Sequence, residues 1–224
     1  MYRNEFKFLI NLHQKNIMAS KLSSICQRDS YSDAEGGYLV SSLYFDDYDQ
    51  SALFDKLRGT SDRKKFRLRV YNNQSNVIKL ERKIKRNNLT EKTHLPISKE
   101  EYESLVNGDA GFLITKEDGV ANDFLLNYRT KNLRPRVVVE YRREAFTYKY
   151  GDVRITFDSQ LKAGVNQKHL FSNGYKVSVI PHDQIILEVK NTGYFPDIIR
   201  NIIHVENLQW QALSKYAMCC VIGM

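Results

Sequence analysis

The chain has 224 residues, 42% of them hydrophobic, which is enough to bury the core of one large domain or two small ones. A formal net charge of +8, from 34 Lys and Arg against 26 Asp and Glu, favours an anionic partner. No apolar run approaches the roughly 18 residues of a membrane span, and the start MYRNEFKF lacks the apolar core of a secretory signal. We therefore expect a single domain over residues 1–224 that is soluble and cytoplasmic, with no membrane segment.

Alternation of apolar and polar residues predicts eight strands along the chain. They cover residues 2–10, 38–45, 65–71, 77–85, 89–97, 136–146, 153–158 and 184–190. This number of strands favours a barrel or a large antiparallel sheet.

Helical patterns lie between the predicted strands. They cover residues 13–28, 121–128, 196–203 and 206–221. A further helix follows Ser98, which forms a capping box with Glu101, and ends at Gly108. In the segment YFDDYDQSALFDKL we expect Asp46 and Asp47 to serve the turn and cap the next helix, with Asp49 as its N-cap.

The predicted strands carry one apolar face and one cationic face. In KKFRLRVY, for example, the apolar residues share one face and Lys65, Arg67 and Arg69 share the other. The charged face of a single half-buried strand is usually solvated. Here six strands repeat the pattern, and acids are few. Periodicity leaves open whether this face points outward; if it points into a closed barrel, the cations need a polyanion such as a phosphate chain.

Eight segments of the sequence resemble, in order, those of a known family. The segments RNEFKF, SLYFDDYDQSALFDKLRG, KFRLRVY, LERKIK, VEYRREAF, VRITFD, ILEVK and LSKY resemble, in order, the VTC-type polyphosphate polymerase domain of the triphosphate tunnel (CYTH-like) metalloenzymes. The resemblance implies an α+β fold: an eight-stranded antiparallel β-barrel with helices packed around it. Lys and Arg would line the resulting tunnel and hold a triphosphate, with a divalent metal bound by glutamate. One departure is Arg3, which stands where the wider superfamily has the first glutamate of ExExK.

The resemblance also implies roles for individual residues. The expected catalytic phosphate contacts are Lys7, Arg67, Arg69, Lys83, Arg143 and Arg154. The expected substrate-binding residues are Lys92, Tyr141, Ser214 and Lys215, joined by Lys79 and Lys190 from the same strand faces. Glu188, with Glu5 and Glu81, would bind Mn²⁺ or Mg²⁺ as a hard cation with oxygen ligands. For Glu81, an ion pair with the neighbouring cations is an equally good interpretation.

These residues suit phosphoryl transfer, which depends on positioning and on neutralising the phosphate oxygens. We expect ATP to bind through its triphosphate and to pass its γ-phosphoryl group to phosphate or to a growing polyphosphate chain. A triphosphatase or nucleotide cyclase of the same superfamily, and a non-catalytic polyphosphate-binding sensor domain, are the alternatives. Nucleic acid is not an expected partner, because aromatic residues are sparse on the cationic faces. No P-loop, dinucleotide-binding, serine-hydrolase or protein-kinase motif is present.

Overall fold

The structure is a computed structural model that describes residues 4–87, 89–164, 169–171, 174–203 and 207–222. Over these residues the chain forms ten strands and six α-helices, an α+β fold. The strands are β1 (Asn4–Asn11), β2 (Gln27–Arg28), β3 (Tyr38–Asp46), β4 (Arg63–Tyr71), β5 (Ile78–Arg86), β6 (Leu89–Ile97), β7 (Arg134–Tyr148), β8 (Val153–Gly164), β9 (Val177–Ser178) and β10 (Gln184–Asn191). The helices are α1 (Leu12–Ser23), α2 (Ser51–Leu57), α3 (Lys99–Val106), α4 (Gly119–Thr130), α5 (Asp197–Ile203) and α6 (Lys215–Ile222), with a 3₁₀ turn at Gly111–Thr115.

All eight predicted strands are confirmed as strands, although several of their ends differ. The two strands that the sequence did not predict, β2 and β9, have two residues each, too few for alternation to be visible. Arg3 lies outside the described residues. None of the helices described is long and apolar enough to cross a bilayer.

The strands form one antiparallel sheet rather than a closed barrel. Their order is β1-β10-β8-β7-β3-β4-β5-β6, with β2 beside β7 and β9 beside β8. Within the described part of the chain, β1 and β6 end this order without pairing to each other, so the prediction of a closed eight-stranded barrel is wrong. Strand β6 has edge-strand properties: Lys92 and His94 are exposed, and Pro96 lacks an N–H to donate.

The chain forms two compact units. The first unit comprises Met1–Leu39, Tyr141–Leu161 and Ser178–Leu213. The second unit comprises Val40–Glu140, Lys162–Val177 and Ser214–Met224. A single domain over residues 1–224 stays a prediction.

The core of the first unit lies between its strands and the helices α1 and α5. Phe8, Phe157 and Leu187 from the strands pack with Leu22 of α1 and Ile199 of α5. Helix α1 begins with a capping box at Asn11, but it ends at Ser23 and not at residue 28 as predicted. The chain turns there because the N–H of Cys26 donates to the carbonyl of Leu22 (2.8 Å) and the next residues enter β2.

The core of the second unit covers the apolar face of β3, β4 and β5. Phe124 of α4 contacts Phe45 and Phe66 edge to face, with ring centroids 5.1 and 5.3 Å apart. The capping box of Ser98 and Glu101 is confirmed at the start of α3. The apolar faces of β3, β4 and β5 therefore lie in the core, as the alternation predicts.

The start of α2 differs from the prediction. Gln50, not Asp49, is the residue before the helix. Its backbone is left-handed (φ 54°), and its side chain does not cap the helix. Asp47 accepts from the N–H of Ser51 (2.8 Å), and Asp46 accepts from the N–H groups of the next two residues. The first two aspartates of the segment therefore serve the turn and cap the helix, as predicted.

The start of α6 also differs from the prediction, at Lys215 instead of residue 206. Residues 207–214 are not α-helical, and residues 204–206 lie outside the described part of the chain. Trp210 forms an isolated β-bridge with Phe8, and the N–H of Gln211 donates to the carbonyl of Lys7 (2.9 Å). Pairing with β1 outweighs the helical pattern of this segment.

Candidate functional site

The charged face of β4 and β5 is buried at its centre and half-buried elsewhere. Leu68 lies in the core of the second unit, and on the opposite face Arg69 is only 6% exposed. Glu81 of β5 is 2% exposed. Burial of this face resolves the question that periodicity left open for these two strands.

Four residues of the second unit form a compact group that we call the Glu81 cluster: Arg67, Arg69, Glu81 and Lys92. The antiparallel register places Arg67 directly opposite Glu81. The carboxylate of Glu81 accepts from Nε of Arg67 (2.7 Å) and lies 2.6 Å from its Nη2. It also lies 2.7 Å from Nζ of Lys92 and 3.9 Å from Nη1 of Arg69. One acid therefore holds three cations.

The cations keep Glu81 ionised. Burial alone would raise the pKa of its carboxyl group, but the charges of Arg67, Arg69 and Lys92 lower the pKa well below its usual range. The cluster retains two more positive than negative charges. This geometry favours the ion-pair interpretation of Glu81 over metal binding.

Strand β3 fixes both arginines of the Glu81 cluster. The hydroxyl of Tyr44 accepts from Nη1 of Arg67 (2.7 Å), and the hydroxyl of Ser42 accepts from Nε of Arg69 (3.0 Å). The Tyr44 ring stacks on the ring of Tyr216 from α6, with centroids 4.9 Å apart. Sequence reasoning missed these three supporting residues. The alternation of Ser42 and Tyr44 along β3 was an available signal, whereas the contact with α6 was not.

The other predicted residues of the second unit lie on β5 and at the start of α6. Lys79 is opposite Arg69 in the register, and its ammonium lies 5.6 Å from the ring centroid of Tyr71. Lys83 is opposite Lys92. Ser214 and Lys215 lie at the start of α6, where the Ser214 hydroxyl accepts from the N–H of Ala217 (3.4 Å), a helix-capping contact.

The first unit contains a second charged group, formed where β1 pairs with β10. Lys7 is opposite Glu188, and Lys190 is opposite Glu5. Nζ of Lys7 lies 2.8 Å from Oε1 of Glu5 and 3.8 Å from Oε1 of Glu188. Nζ of Lys190 lies 3.2 Å from Oε1 of Glu188 and 3.9 Å from Oε2 of Glu5. Each lysine thus contacts both carboxylates.

Arg143 extends this group to β8. Its Nε and Nη2 donate to the two carboxylate oxygens of Asp158 (2.6 and 2.7 Å), a bidentate pair. Nη2 also lies 3.6 Å from Oε2 of Glu188, and the guanidinium lies 5.1 Å from the ring centroid of Tyr141. We call the six residues Glu5, Lys7, Arg143, Asp158, Glu188 and Lys190 the Glu188 cluster.

The strand predicted over residues 153–158 is longer in the structure, so Asp158 is not at its end. Strand β8 continues to Gly164, and Asp158 is fully buried in its interior. Its alternation with Arg154 and Thr156 was the signal that places it on the charged face.

The Glu188 cluster holds its own charges in balance, with three carboxylates and three cations. Burial alone would lower the pKa of the Lys7 ammonium, but Glu188 and Glu5 raise it above its ordinary value. Burial opposes the charge of Arg143 as well, and Asp158 raises the pKa of that guanidinium. All three cations of this cluster therefore have carboxylate partners.

Arg154 lies beside the Glu188 cluster, opposite Lys190 in the β8–β10 register. Its Nη2 donates to Oδ2 of Asp29 (2.5 Å) and to the hydroxyl of Tyr38 (3.3 Å). Sequence reasoning missed Asp29, because it follows the two-residue strand β2 and belongs to no periodic segment.

Oxygen donors for a cation are present in the first unit. Glu5 and Glu188 are brought together by their shared lysines. The hydroxyl of Thr156, opposite Glu188, is buried and has no hydrogen-bond partner among the residues described. Across the described ranges, no group of three or more His, Cys, Asp or Glu is arranged to hold a metal. Because Mg²⁺ is usually held by one or two carboxylates together with substrate phosphates, this donor set fits such a cation.

Comparison with known proteins identifies the family. The sequence model described as the VTC domain matches residues 2–222. No curated protein matches the sequence.

Two solved structures share the fold. A candidate adenylate cyclase from Bacillus halodurans is 14% identical, with a TM-score of 0.53 over 92% of this chain and 89% of that chain. A candidate adenylyl cyclase from Hippeastrum, which shows a dominant triphosphatase activity, is 11% identical, with a TM-score of 0.56 over 100% of this chain and 97% of that chain. At such identities the similarity shows the fold alone.

Proposed function

Because this chain belongs to the VTC domain family, we propose that it is a phosphotransferase that binds ATP through its triphosphate and passes the γ-phosphoryl group to a phosphate chain. The bond between the γ-phosphorus and the bridging oxygen to the β-phosphorus breaks. A terminal oxygen of the acceptor chain forms the new bond to phosphorus, and ADP leaves. The chain grows by one phosphate in each turnover.

The observation that carries the proposal is the excess of positive charge around the buried carboxylate of Glu81. Arg67 and Arg69, which are largely removed from water, share the buried carboxylate of Glu81 with the more exposed ammonium of Lys92. Like charges held together in a buried site repel strongly. A triphosphate offsets this repulsion, since it brings several negative charges to the same face.

The residue types of the cluster suit phosphate oxygens. Each arginine presents a planar fork that can contact two oxygens, and lysine presents a compact charge. Glu81, Ser42 and Tyr44 already fix the orientation of Arg67 and Arg69, so phosphate binding requires little reorganisation. Such prearranged cations stabilise the charge of the transferring group, which is the main requirement of phosphoryl transfer.

The predicted phosphate contacts of six other residues remain part of the proposal. Lys79 and Lys83 would extend the cationic face beyond the cluster, and Lys215 would contribute from the start of α6. Tyr141, Arg143 and Arg154 in the first unit would contact phosphate. For Arg143 and Arg154 this requires phosphate to compete with Asp158 and Asp29, their present partners.

The divalent metal implied by the family fits the first unit best. Glu188 and Glu5 would hold it, with the Thr156 hydroxyl as a further oxygen donor. A bound Mg²⁺ or Mn²⁺ supplies positive charge that neutralises phosphate oxygens during the transfer. Lys7 and Lys190 would then keep the two carboxylates oriented, because each lysine contacts both of them.

A triphosphatase is the second candidate. It is supported by the shared fold with the Hippeastrum protein, in which triphosphatase activity dominates. The two reactions differ only in the acceptor, which is a phosphate chain in the first and water in the second.

One assay separates the candidates. The purified chain is incubated with ATP and Mn²⁺, and polyphosphate, free phosphate and cyclic nucleotide are measured, with Arg134→Ala as a matched variant at an exposed arginine of the second unit. Polyphosphate is the expected product. Free phosphate alone would indicate a triphosphatase instead. Tight binding of polyphosphate without turnover would indicate a non-catalytic binding domain.

A further inference from the structure

Lys65 of the second unit has no part in the function proposed above. Lys65 shares the face of β4 with Arg67 and Arg69, two positions before Arg67. In the antiparallel register it lies opposite Lys83, which lies opposite Lys92. Three lysines therefore form one row across β4, β5 and β6, next to the row that contains Arg67 and Glu81.

We propose that Lys65 is a further phosphate-binding residue of this face, and that it takes up a proton when a phosphate chain binds. The inference rests on the proposed function, because it concerns the same ligand and the same face. It adds a coupling between phosphate binding and pH.

The position of Lys65 is set by a stacked pair of tyrosines. Its Nζ lies 4.5 Å from the ring centroid of Tyr216, and the guanidinium of Arg67 lies 5.5 Å from the ring centroid of Tyr44. The two rings stack on each other, with centroids 4.9 Å apart and planes at 29°. One cation thus lies over each ring of the pair, so Lys65 is fixed relative to a residue of the Glu81 cluster.

The tyrosine pair is itself held in place. The hydroxyl of buried Tyr216 donates to Asp46, whose carboxylate also accepts the N–H groups of Asp47, Ala52 and Leu53. Asp46 is therefore already committed to four donors. It is a poor source of further compensation for the Lys65 ammonium.

Cations dominate the surroundings of Lys65. The charged and titratable groups that face it are Arg63 on its own strand, Lys83 on β5, Lys56 on α2, Asp46 on β3, and Tyr216 and Cys220 on α6. Burial, reinforced by Arg63, Lys56 and Lys83, lowers the pKa of Lys65 to about 7. Near neutral pH, Lys65 is thus divided between its charged and neutral forms.

A bound phosphate changes this balance. Its negative charge favours the ammonium form and raises the pKa of Lys65, so a proton is taken up between the pKa of the free state and that of the bound state. Binding must then weaken as the pH rises above about 7, by up to about tenfold per pH unit for one linked proton.

The test is calorimetric titration of the full chain with inorganic tripolyphosphate, near pH 7 and near pH 9, in buffers of different ionisation enthalpy. Lys65→Arg keeps a positive charge throughout this range, since guanidinium does not deprotonate in proteins. Lys65→Met removes the charge. Lys99→Met, at an exposed lysine of α3, is the matched control for net charge.

We expect the wild type and Lys99→Met to take up more protons per tripolyphosphate than Lys65→Arg, and to lose more affinity between the two pH values. Lys92 also titrates in this range, because partial burial lowers its pKa to about 8. The protons of Lys92 and of the ligand are common to all variants, so the difference from Lys65→Arg belongs to Lys65. Lys65→Met should bind less tightly than the wild type near pH 7 and equally well near pH 9.

Equal proton uptake in the wild type and Lys65→Arg, with tripolyphosphate bound by both, would overturn the inference alone. So would a Lys65→Met variant that binds as tightly as the wild type near pH 7, a result that does not require Lys65→Arg to fold. Absence of tripolyphosphate binding by the wild type at either pH would overturn the proposed function, and this inference with it.

Discussion

The Glu81 cluster and the Glu188 cluster use the same residue types on paired antiparallel strands, yet they differ in charge balance. In the Glu81 cluster one buried carboxylate holds three cations. In the Glu188 cluster three carboxylates balance three cations, and Lys7 and Lys190 each contact two acids. Cationic residues on a buried strand face therefore need not have the same role in both places.

The difference has a chemical consequence. A surplus of oriented cations attracts a polyanion, because the anion relieves the repulsion among them. A cluster with balanced charges gains less from an added anion. Its carboxylates can bind a metal cation if the cation displaces the lysines that contact them. We therefore assign phosphate binding first to the Glu81 cluster and metal binding first to the Glu188 cluster.

Removal of an arginine from the Glu81 cluster should have the largest effect. Arg67→Ala deletes both a phosphate-contacting fork and the main partner of Glu81, and we expect the turnover rate with ATP to fall by about 100- to 1,000-fold. Steady-state kinetics measures this, and circular dichroism checks the fold. Arg134→Ala, in the same unit, should retain the wild-type rate. Wild-type turnover by Arg67→Ala would remove the Glu81 cluster from the mechanism.

Removal of the acid from the Glu81 cluster should chiefly affect stability. Glu81→Gln leaves three cations without their shared charge, which we expect to cost about 3 kcal/mol of unfolding free energy, as for a broken buried ion pair. Denaturant unfolding measures this loss. The metal concentration needed for activity should be the same as in the wild type. A large increase in this concentration would support Glu81 as a metal ligand.

The stability of the wild type should depend on pH more strongly than that of Glu81→Gln. Because the pKa of Glu81 is lowered in the folded state, its stabilising contribution is complete above the unfolded-state value of about 4.5 and is lost as the pH falls below it. We expect the melting temperature of the wild type to fall in this acidic range more steeply than that of Glu81→Gln. Parallel curves for the two proteins would show that Glu81 is not held ionised by its neighbours.

Removal of an acid from the Glu188 cluster should change the metal requirement, unlike removal of Glu81. We expect Glu188→Gln to raise the Mn²⁺ concentration for half-maximal activity by about tenfold, since one of two proposed carboxylate ligands is lost. Titration of activity with Mn²⁺ measures it. Glu144→Gln, at a carboxylate that pairs with Lys15 in the same unit, is the matched control and should leave the requirement unchanged. If Glu188→Gln also left the Mn²⁺ requirement unchanged, the metal would have to bind elsewhere.

The smallest effect is expected at a supporting residue. Tyr44→Phe removes the hydroxyl that accepts from Arg67 but keeps the ring that stacks on Tyr216. Loss of one such hydrogen bond costs about 1 kcal/mol, so we expect a roughly fivefold loss of kcat/KM and a fall in melting temperature of about 2–4 °C. Tyr128→Phe, at a hydroxyl that bonds the carbonyl of Gly108, is the control outside the cluster. An unchanged kcat/KM in Tyr44→Phe would mean that the Tyr44 hydroxyl is not needed to orient Arg67.

The sequence allowed the strands and their faces to be predicted because alternation is a local property. The apolar side of β4 and the shared face of Arg67 and Arg69 were predicted from KKFRLRVY alone. The partners of these residues depend on register, so the contact of Arg67 with both Glu81 and Tyr44 was not visible. Closure of the sheet depends on whether the outer strands β1 and β6 pair with each other, and alternation contains no information on strand pairing.

Helix ends and irregular segments explain the remaining differences. The helical pattern before Lys215 was outweighed by the pairing of Trp210 with Phe8, a contact between residues far apart in the chain. Asp29, which holds Arg154, lies outside any periodic segment. Such long-range contacts decide which charges are paired, and hence how the two clusters differ.

The central claim, that the Glu81 cluster binds the triphosphate, is tested most directly by a crystal structure of the protein with bound tripolyphosphate. We predict phosphate oxygens within hydrogen-bonding distance of Arg67, Arg69 and Lys92. A tripolyphosphate bound with full occupancy and without contact to any of these three residues would contradict the claim.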